Sequence, residues 1–460
     1  MTDTTLPDRT HPPGPGPLRP FHFPDVHRVR LANGLGIMVA EKHAFPIATL
    51  DVMMPAGGLA DPPARAGTAS LAAGLLESGA GNRDATGIAE AVDALGLALE
   101  TGVSWDTTLV GFTALTSRLE AGMEILSDLV RRPTFPEGEV ERIRDERLAA
   151  LAQRRADPSS VADELVTHYT FRSGHPFTRR LAGPASTLRE LAQGGVRAFH
   201  DAYYVPDGAW ICAAGDVTVD QVAALAERWF GDWMGARPTV PAPATENRFQ
   251  RTTIILADRP GSVQSEVRVG HVGLERTAED FFAATVMNSV LGGVFSSRLN
   301  MNLRERLGYT YGASSSFGVR RLPGTFSISS AIQSEHTAHA VSEMLRDMRE
   351  MQETLAPAAE VADAAGYLAG IFPLQLQSTD GLSGKLSTLA VYGFPDDYYD
   401  HYRDALLAVT PEEVREVARR RLMPDRAAVV VVGDAAELRG PLEALDIGPV
   451  EVVDADAVLS

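Results

Sequence analysis

The chain has 460 residues, with 42 Lys and Arg against 60 Asp and Glu and a formal net charge of −18. A composition of 45% hydrophobic and 22% charged residues excludes a wholly disordered chain, and an acidic balance without a basic run excludes a nucleic-acid binder. The apolar run 427–432 is far below the roughly 18 residues of a membrane span, and a single cysteine excludes an internal disulfide framework.

Residues 1–24 are rich in proline and glycine and read as a disordered arm with no core to join; they also lack the apolar segment of a secretion signal. Residues 27–39 read as a β-hairpin, with Asn33-Gly34 supplying positive φ at the turn. Residues 85–95 place Ile88, Val92 and Leu95 on one helical face and stop at Gly96, suited to a left-handed helix end. Residues 109–115 alternate as a strand, and Leu119, Met123, Leu126 and Val130 stripe the helix after it. Long helices are expected over 137–155 and 161–171. Cys212 sits among Trp210, Ile211, Ala213 and Ala214, the composition of a buried strand, so its thiol is read as inert. Residues 235–247, with three prolines among small polar residues, form the linker.

Beyond the linker, Gly292-Gly293 lacks the Lys-Ser/Thr pair of a phosphate loop and is read as permitting a tight turn at a helix end. Ser297 stands where a cap would open a helix whose Leu299, Leu303 and Leu307 face inward, and Gly308 closes it. Arg304 lies on that helix, off the leucine stripe. Tyr309 and Tyr311, two apart in a strand-like segment, are expected to share one face. Residues 325–332 read as a strand, and Val341, Met344, Leu345 and Met348 as the inner stripe of the following helix. Glu343 and Asp347 on that helix are assigned to solvated faces. His336 and His339 have no third ligand near them in sequence; like the scattered His22, His27 and His43, they are given no metal role.

Val196, Phe199, Pro206, Gly215 and Asp216 reappear as Val414, Val417, Pro424, Gly433 and Asp434, each 218 residues later. A constant offset makes the chain two copies of one unit rather than three domains of ordinary length. The expected fold class is α+β: two homologous α/β domains, each a mostly antiparallel sheet covered by helices on one face. The boundaries read are an arm over 1–24, a first domain over 25–234, a linker over 235–247 and a second domain over 248–460.

Three segments, LANGLGIMVAEKHAFPIATLDVMMPAGG, NRDATGIAEAVDALG and VLGGVFSSRLNMNLRERLGYTYGASSS, occur in the order and spacing of one family. On them the chain resembles the pitrilysin/insulinase-type zinc metallopeptidases, in the processing-peptidase-like branch, from about residue 26 to residue 432. The resemblance implies a mitochondrial-processing-peptidase-like pair of domains around a peptide chamber. It also implies a zinc site of the inverted H-x-x-E-H form, whose Glu activates water. In the matching helix, GTASLAAGLLESGA, the three motif positions hold Ser70, Ala73 and Gly74. The family's third ligand, a Glu, is expected shortly before Asp157-Pro158, where the chain reads Leu148, Ala149, Ala150, Leu151. Glu77 is a lone carboxylate, read as exposed near a helix end.

Arg304 and Tyr311 match a family pair, seven positions apart, that reaches the zinc site of the opposite half. In that role a guanidinium grips substrate carbonyls and a phenol donates to the oxyanion; Tyr309 is the substitute for Tyr311. The resemblance therefore implies a non-catalytic subunit, inactive alone, of a zinc metalloendopeptidase. It would bind no cofactor itself, and a homologous partner would supply the zinc, in a heterodimer or a dimer of heterodimers acting on peptides. The alternatives are a structural core-type subunit and a peptide-binding module that works by strand addition. With no signal segment and one cysteine, cytoplasmic is the default location and no membrane contact is expected.

Overall fold

The computed structural model describes residue 16 and residues 18–459. The first sheet contains β1 (Val26–Arg30), β2 (Gly36–Glu41), β3 (Ile47–Met54), β4 (Ala98–Val103), β5 (Thr108–Leu115) and β6 (Trp210–Gly215). The second contains β7 (Thr253–Asp258), β8 (Gln264–Val272), β9 (Ala313–Phe317), β10 (Thr325–Gln333), β11 (Ala428–Gly433) and β12 (Val450–Val453). Their spatial orders are β1-β2-β6-β3-β5-β4 and β12-β7-β11-β8-β10-β9, so the sheets correspond strand for strand. In the first sheet only β2 and β6 run parallel. In the second, β7 is parallel to both β11 and β12, and the remaining pairs are antiparallel. The edge position filled by the β1 hairpin strand is thus filled in the other half by β12, which arrives from the end of the repeat and runs the opposite way.

Each sheet is covered on both faces, not on one as the sequence suggested. Side chains alternate across a strand with period two. Ile37, Val39, Ile211 and Ala213 face helices Leu119–Arg131 and Val219–Phe230. Met38, Ala40, Cys212 and Ala214 face the other way, against Leu382, Leu386 and Leu389 of helix Thr379–Tyr392. That helix belongs to the second half of the sequence. The exchange is reciprocal: Val161, Ala162, Leu165 and Val166 of helix Pro158–Thr170 cover Ile255, Ala257, Val430 and Val432 of the second sheet. Because both faces are dry, β6 and β11 need apolar residues at every position, which is why they read as unbroken runs rather than alternating ones.

A buried polar contact fixes each exchanged helix. Asp51 on β3 and Arg268 on β8, 217 residues apart, occupy corresponding strands and are both buried. Ser383 of helix Thr379–Tyr392 donates to the Asp51 carboxyl. Arg268 donates from Nε to Asp163 Oδ1 at 2.6 Å and from Nη2 to Ser159 Oγ at 2.8 Å, both on helix Pro158–Thr170.

Most of the arm read over 1–24 lies outside the described residues, but its last part does join a core. Phe23 is buried with its ring 5.0 Å from that of Tyr399, and Phe21 meets Phe372 edge-on at 5.6 Å. The hairpin turn has φ +93° at Gly34, and the helix Ala85–Leu95 ends at Gly96 with φ +63°. Neither Gly292 nor Gly293 has positive φ. A Cβ on Gly292 would lie 2.6 Å from the Ser315 backbone nitrogen, so this glycine serves close packing rather than a turn.

Candidate functional site

Helix Thr68–Gly74 opens at Gly67, whose φ of +97° few other residues adopt. Asp61 accepts hydrogen bonds from the Gly67 and Ala69 nitrogens, both at 2.7 Å, at the helix end where a carboxylate is favoured. Burial nevertheless pushes the Asp61 carboxyl up to about 6. Ser70 and Ala73 are buried and Gly74 and Glu77 exposed, with Glu77 accepting from the Thr101 hydroxyl at 3.1 Å.

The side chain that reaches this helix from Glu137–Ala156 is Arg147, one residue before the segment expected to hold the third ligand. Its Nη1 donates to Ser70 Oγ at 2.9 Å and its Nη2 to the Ser70 carbonyl at 2.7 Å. Leu151 is buried in the core with Leu148 packed beside it, while Ala149 and Ala150 face solvent. A hydroxyl, a carbonyl and a guanidinium do not fit Zn²⁺, which takes imidazole, thiolate or carboxylate donors. Among the described residues no group of three or more His, Cys, Asp or Glu is placed to hold a metal ion.

In the second half, the segment carrying Arg304 is wound more loosely than an α-helix: a short α-turn, Arg298–Asn300, continues as π-helix over Met301–Arg306. Ser297 stands at the cap position but makes no capping hydrogen bond, whereas Gly308 ends the segment with φ +70° as expected. Leu299 and Leu303 are buried, with Leu307 packed against them. The Arg304 guanidinium lies 4.5 Å over the ring of Phe295, which is largely exposed.

Tyr309 and Tyr311 do not share a face. Tyr309 stacks on His336 at 4.0 Å and shares a 2.9 Å hydrogen bond with His339 Nδ1, while Tyr311 is 93% exposed. The histidines given no metal role thus hold Tyr309 in place.

Glu343 and Asp347 are buried, not solvated. Asn302 donates to both at 2.9 Å, and Arg306 and Arg346 complete a network tying the π segment to helix Thr337–Glu353.

Two corresponding sheets with their helices make a two-domain α+β fold, with Ser70, Ala73 and Gly74 on a helix of the first half and Arg304 and Tyr311 on a segment of the second. Residues 37–185 match the model of the insulinase family, peptidase family M16, and residues 194–367 match the peptidase M16 inactive domain. Together these matches span most of the chain, which belongs to peptidase family M16. The chain is 28% identical over 414 residues to an uncharacterized zinc protease of Mycobacterium tuberculosis, covering 88% of this chain and 92% of that protein. Its fold superposes with TM-score 0.83 on a peptidase M16 inactive domain from Pseudomonas fluorescens, at 23% identity over 89% of this chain and 98% of that one. A chain of complex III2 from Candida albicans superposes with TM-score 0.74 at 13% identity, covering 91% and 99% of the two chains. No helix among the described residues is long and apolar enough to cross a membrane.

Proposed function

We propose that this chain is the non-catalytic subunit of a heterodimeric zinc metallopeptidase. It binds no zinc, closes the peptide chamber, and offers Arg304 and Tyr311 to substrate bound at the zinc of a homologous partner. The observation that carries this reading is the one-sided state of the site. The metal half has only Ser70 and Arg147 where ligands belong. The substrate half keeps Tyr311 exposed and Arg304 beside an exposed aromatic ring. Arg304 would hold substrate carbonyls, and the Tyr311 hydroxyl would donate to the oxyanion formed by water attack.

The test is to purify the chain alone and with a partner that carries the H-x-x-E-H motif, then measure zinc content and peptide cleavage. Zinc is expected in the partner only, and cleavage in the complex only. Arg304→Ala and Tyr311→Phe should each lower kcat of the complex by about 10². Stoichiometric zinc and full activity in the isolated chain would overturn the reading. A structural core-type role is the second reading, favoured by the likeness to a chain of complex III2. It requires both substitutions to leave the activity of any complex unchanged.

A further inference from the structure

We infer that Arg147, on the helix expected to carry the third ligand of the family's metal site, fills the metal's place with its own guanidinium. The inference rests on the reading that this chain holds no zinc, and it names what excludes the metal. Ser70 stands at the first motif position, and only one side chain of the long helix Glu137–Ala156 is hydrogen-bonded to it. Of the four residues where the sequence suggested a third ligand, Leu148 and Leu151 pack in the core, while Ala149 and Ala150 are exposed, as Gly74 is, and carry no ligand atom.

Gly74, at the last motif position, lies against the same guanidinium. A Cβ placed there would lie 2.6 Å from Arg147 Nη2, the far end of a flexible side chain, which would have to shift. Gly74 is not in the left-handed region, so its backbone does not require glycine. A ligand-bearing residue at 74 would therefore push the Arg147 guanidinium out of its present position.

Charge points the same way. Among the described residues no carboxylate lies within ion-pair distance of Arg147, so its positive charge is not neutralised by this chain. A guanidinium stays protonated at any working pH even where burial pulls its pKa down, as it does here. It cannot coordinate a metal, and it repels one placed beside it. Loss of two histidines alone would leave a space that a water or a weakly held ion can enter; the Arg147 guanidinium fills it.

Two sets of substitutions in the full chain separate this arrangement from simple ligand loss. The first, Ser70→His, Gly74→His, Ala150→Glu and Arg147→Ala, should bind about one zinc per chain by elemental analysis after dialysis, the number a His/His/Glu site takes. The second, Ser70→His, Gly74→His and Ala150→Glu, keeps Arg147 and should retain less than about 0.1 zinc per chain. Stoichiometric zinc in the second set overturns the inference. So does zinc-free protein in the first set when its circular dichroism matches that of the unsubstituted chain.

Should the first set not fold, Arg147→Ala is placed with the two introduced histidines. Its zinc affinity should exceed that of the same two-histidine chain with Arg147 kept by at least about tenfold, and equal affinities overturn the inference. Zinc in the unsubstituted chain is a different outcome: it removes the non-catalytic reading itself, and it is measured separately.

Discussion

Asp51 shows what a single buried carboxyl contributes at the contact between the halves. Burial pushes it up to about 6, against the lowering effect of the Ser383 hydroxyl, and Glu100 and Asp380 add to the rise. In the unfolded chain an Asp ionises near about 3.9. Between those values the folded state holds the proton more tightly, so stability falls as pH rises, by about 3 kcal/mol in all. Asp51→Asn removes this dependence. Relative to the unsubstituted chain, it should be about 3 kcal/mol more favourable at pH 7 than at pH 3.5, measured by denaturant unfolding at both. An equal difference at the two values would count against the assignment.

At this scale the sequence was readable where a residue's neighbours in the chain decide its surroundings. Cys212, flanked by apolar residues, is fully buried and its thiol is pushed up to about 12. Asp51 and Arg268 were not readable, because their partners lie on helices of the opposite half. Arg147 did leave a trace. It shares a helical stripe with Val140, Ile143 and Leu151, where a charged residue interrupts an apolar face.

Among the elements, the π segment Met301–Arg306 depends on helix Thr337–Glu353 for its support. Asn302 supplies two donors to the buried Glu343 and Asp347, and the Asp347 carboxyl is raised by burial despite them. Replacing Asn302 with leucine leaves two buried acceptors short of a donor, at a cost of about 2–3 kcal/mol. Thermal unfolding should register that loss, and Asn302→Asp should be worse still because it adds a third acid to the cluster. An unchanged melting temperature in the Asn302→Leu chain would show that the network contributes nothing to stability.

Helix periodicity located this region well: Leu299, Leu303 and Gly308 fall where the stripe and the stop required. It could not disclose the π winding, which moves residues around the axis without altering their order. Strand alternation failed nearby, because Tyr309 and Tyr311, expected on one face, separate into a packed ring and an exposed one. The acids on helix Thr337–Glu353 misled because a charged residue inside a satisfied network has the same sequence signature as one in water.

Across the whole molecule, the exchanged helices make the halves interdependent. A helix that covers its own sheet would let each half unfold by itself. Here, loss of helix Thr379–Tyr392 bares the first sheet, and loss of helix Pro158–Thr170 bares the second. Leu386→Ala and Leu165→Ala should each cost about 3 kcal/mol and lower a single transition spanning the entire chain. Calorimetry that resolved two transitions, only one of them shifted, would refute that coupling. The 218-residue repeat was plain in the sequence and set the number of six-stranded sheets. The exchange was hidden, because an amphipathic helix declares that it has a buried face without declaring which sheet it buries.

That interdependence also sets a schedule for synthesis. The last strand of the first sheet ends at Gly215, but the helix that covers its second face is complete only at Tyr392, 177 residues later. At ribosomal rates of about 5–20 residues per second, Met38, Ala40 and Ala214 wait for roughly 10–35 s before their covering helix exists. During that interval the nascent chain carries a finished sheet with one apolar side open, a substrate for chaperones rather than a folded domain.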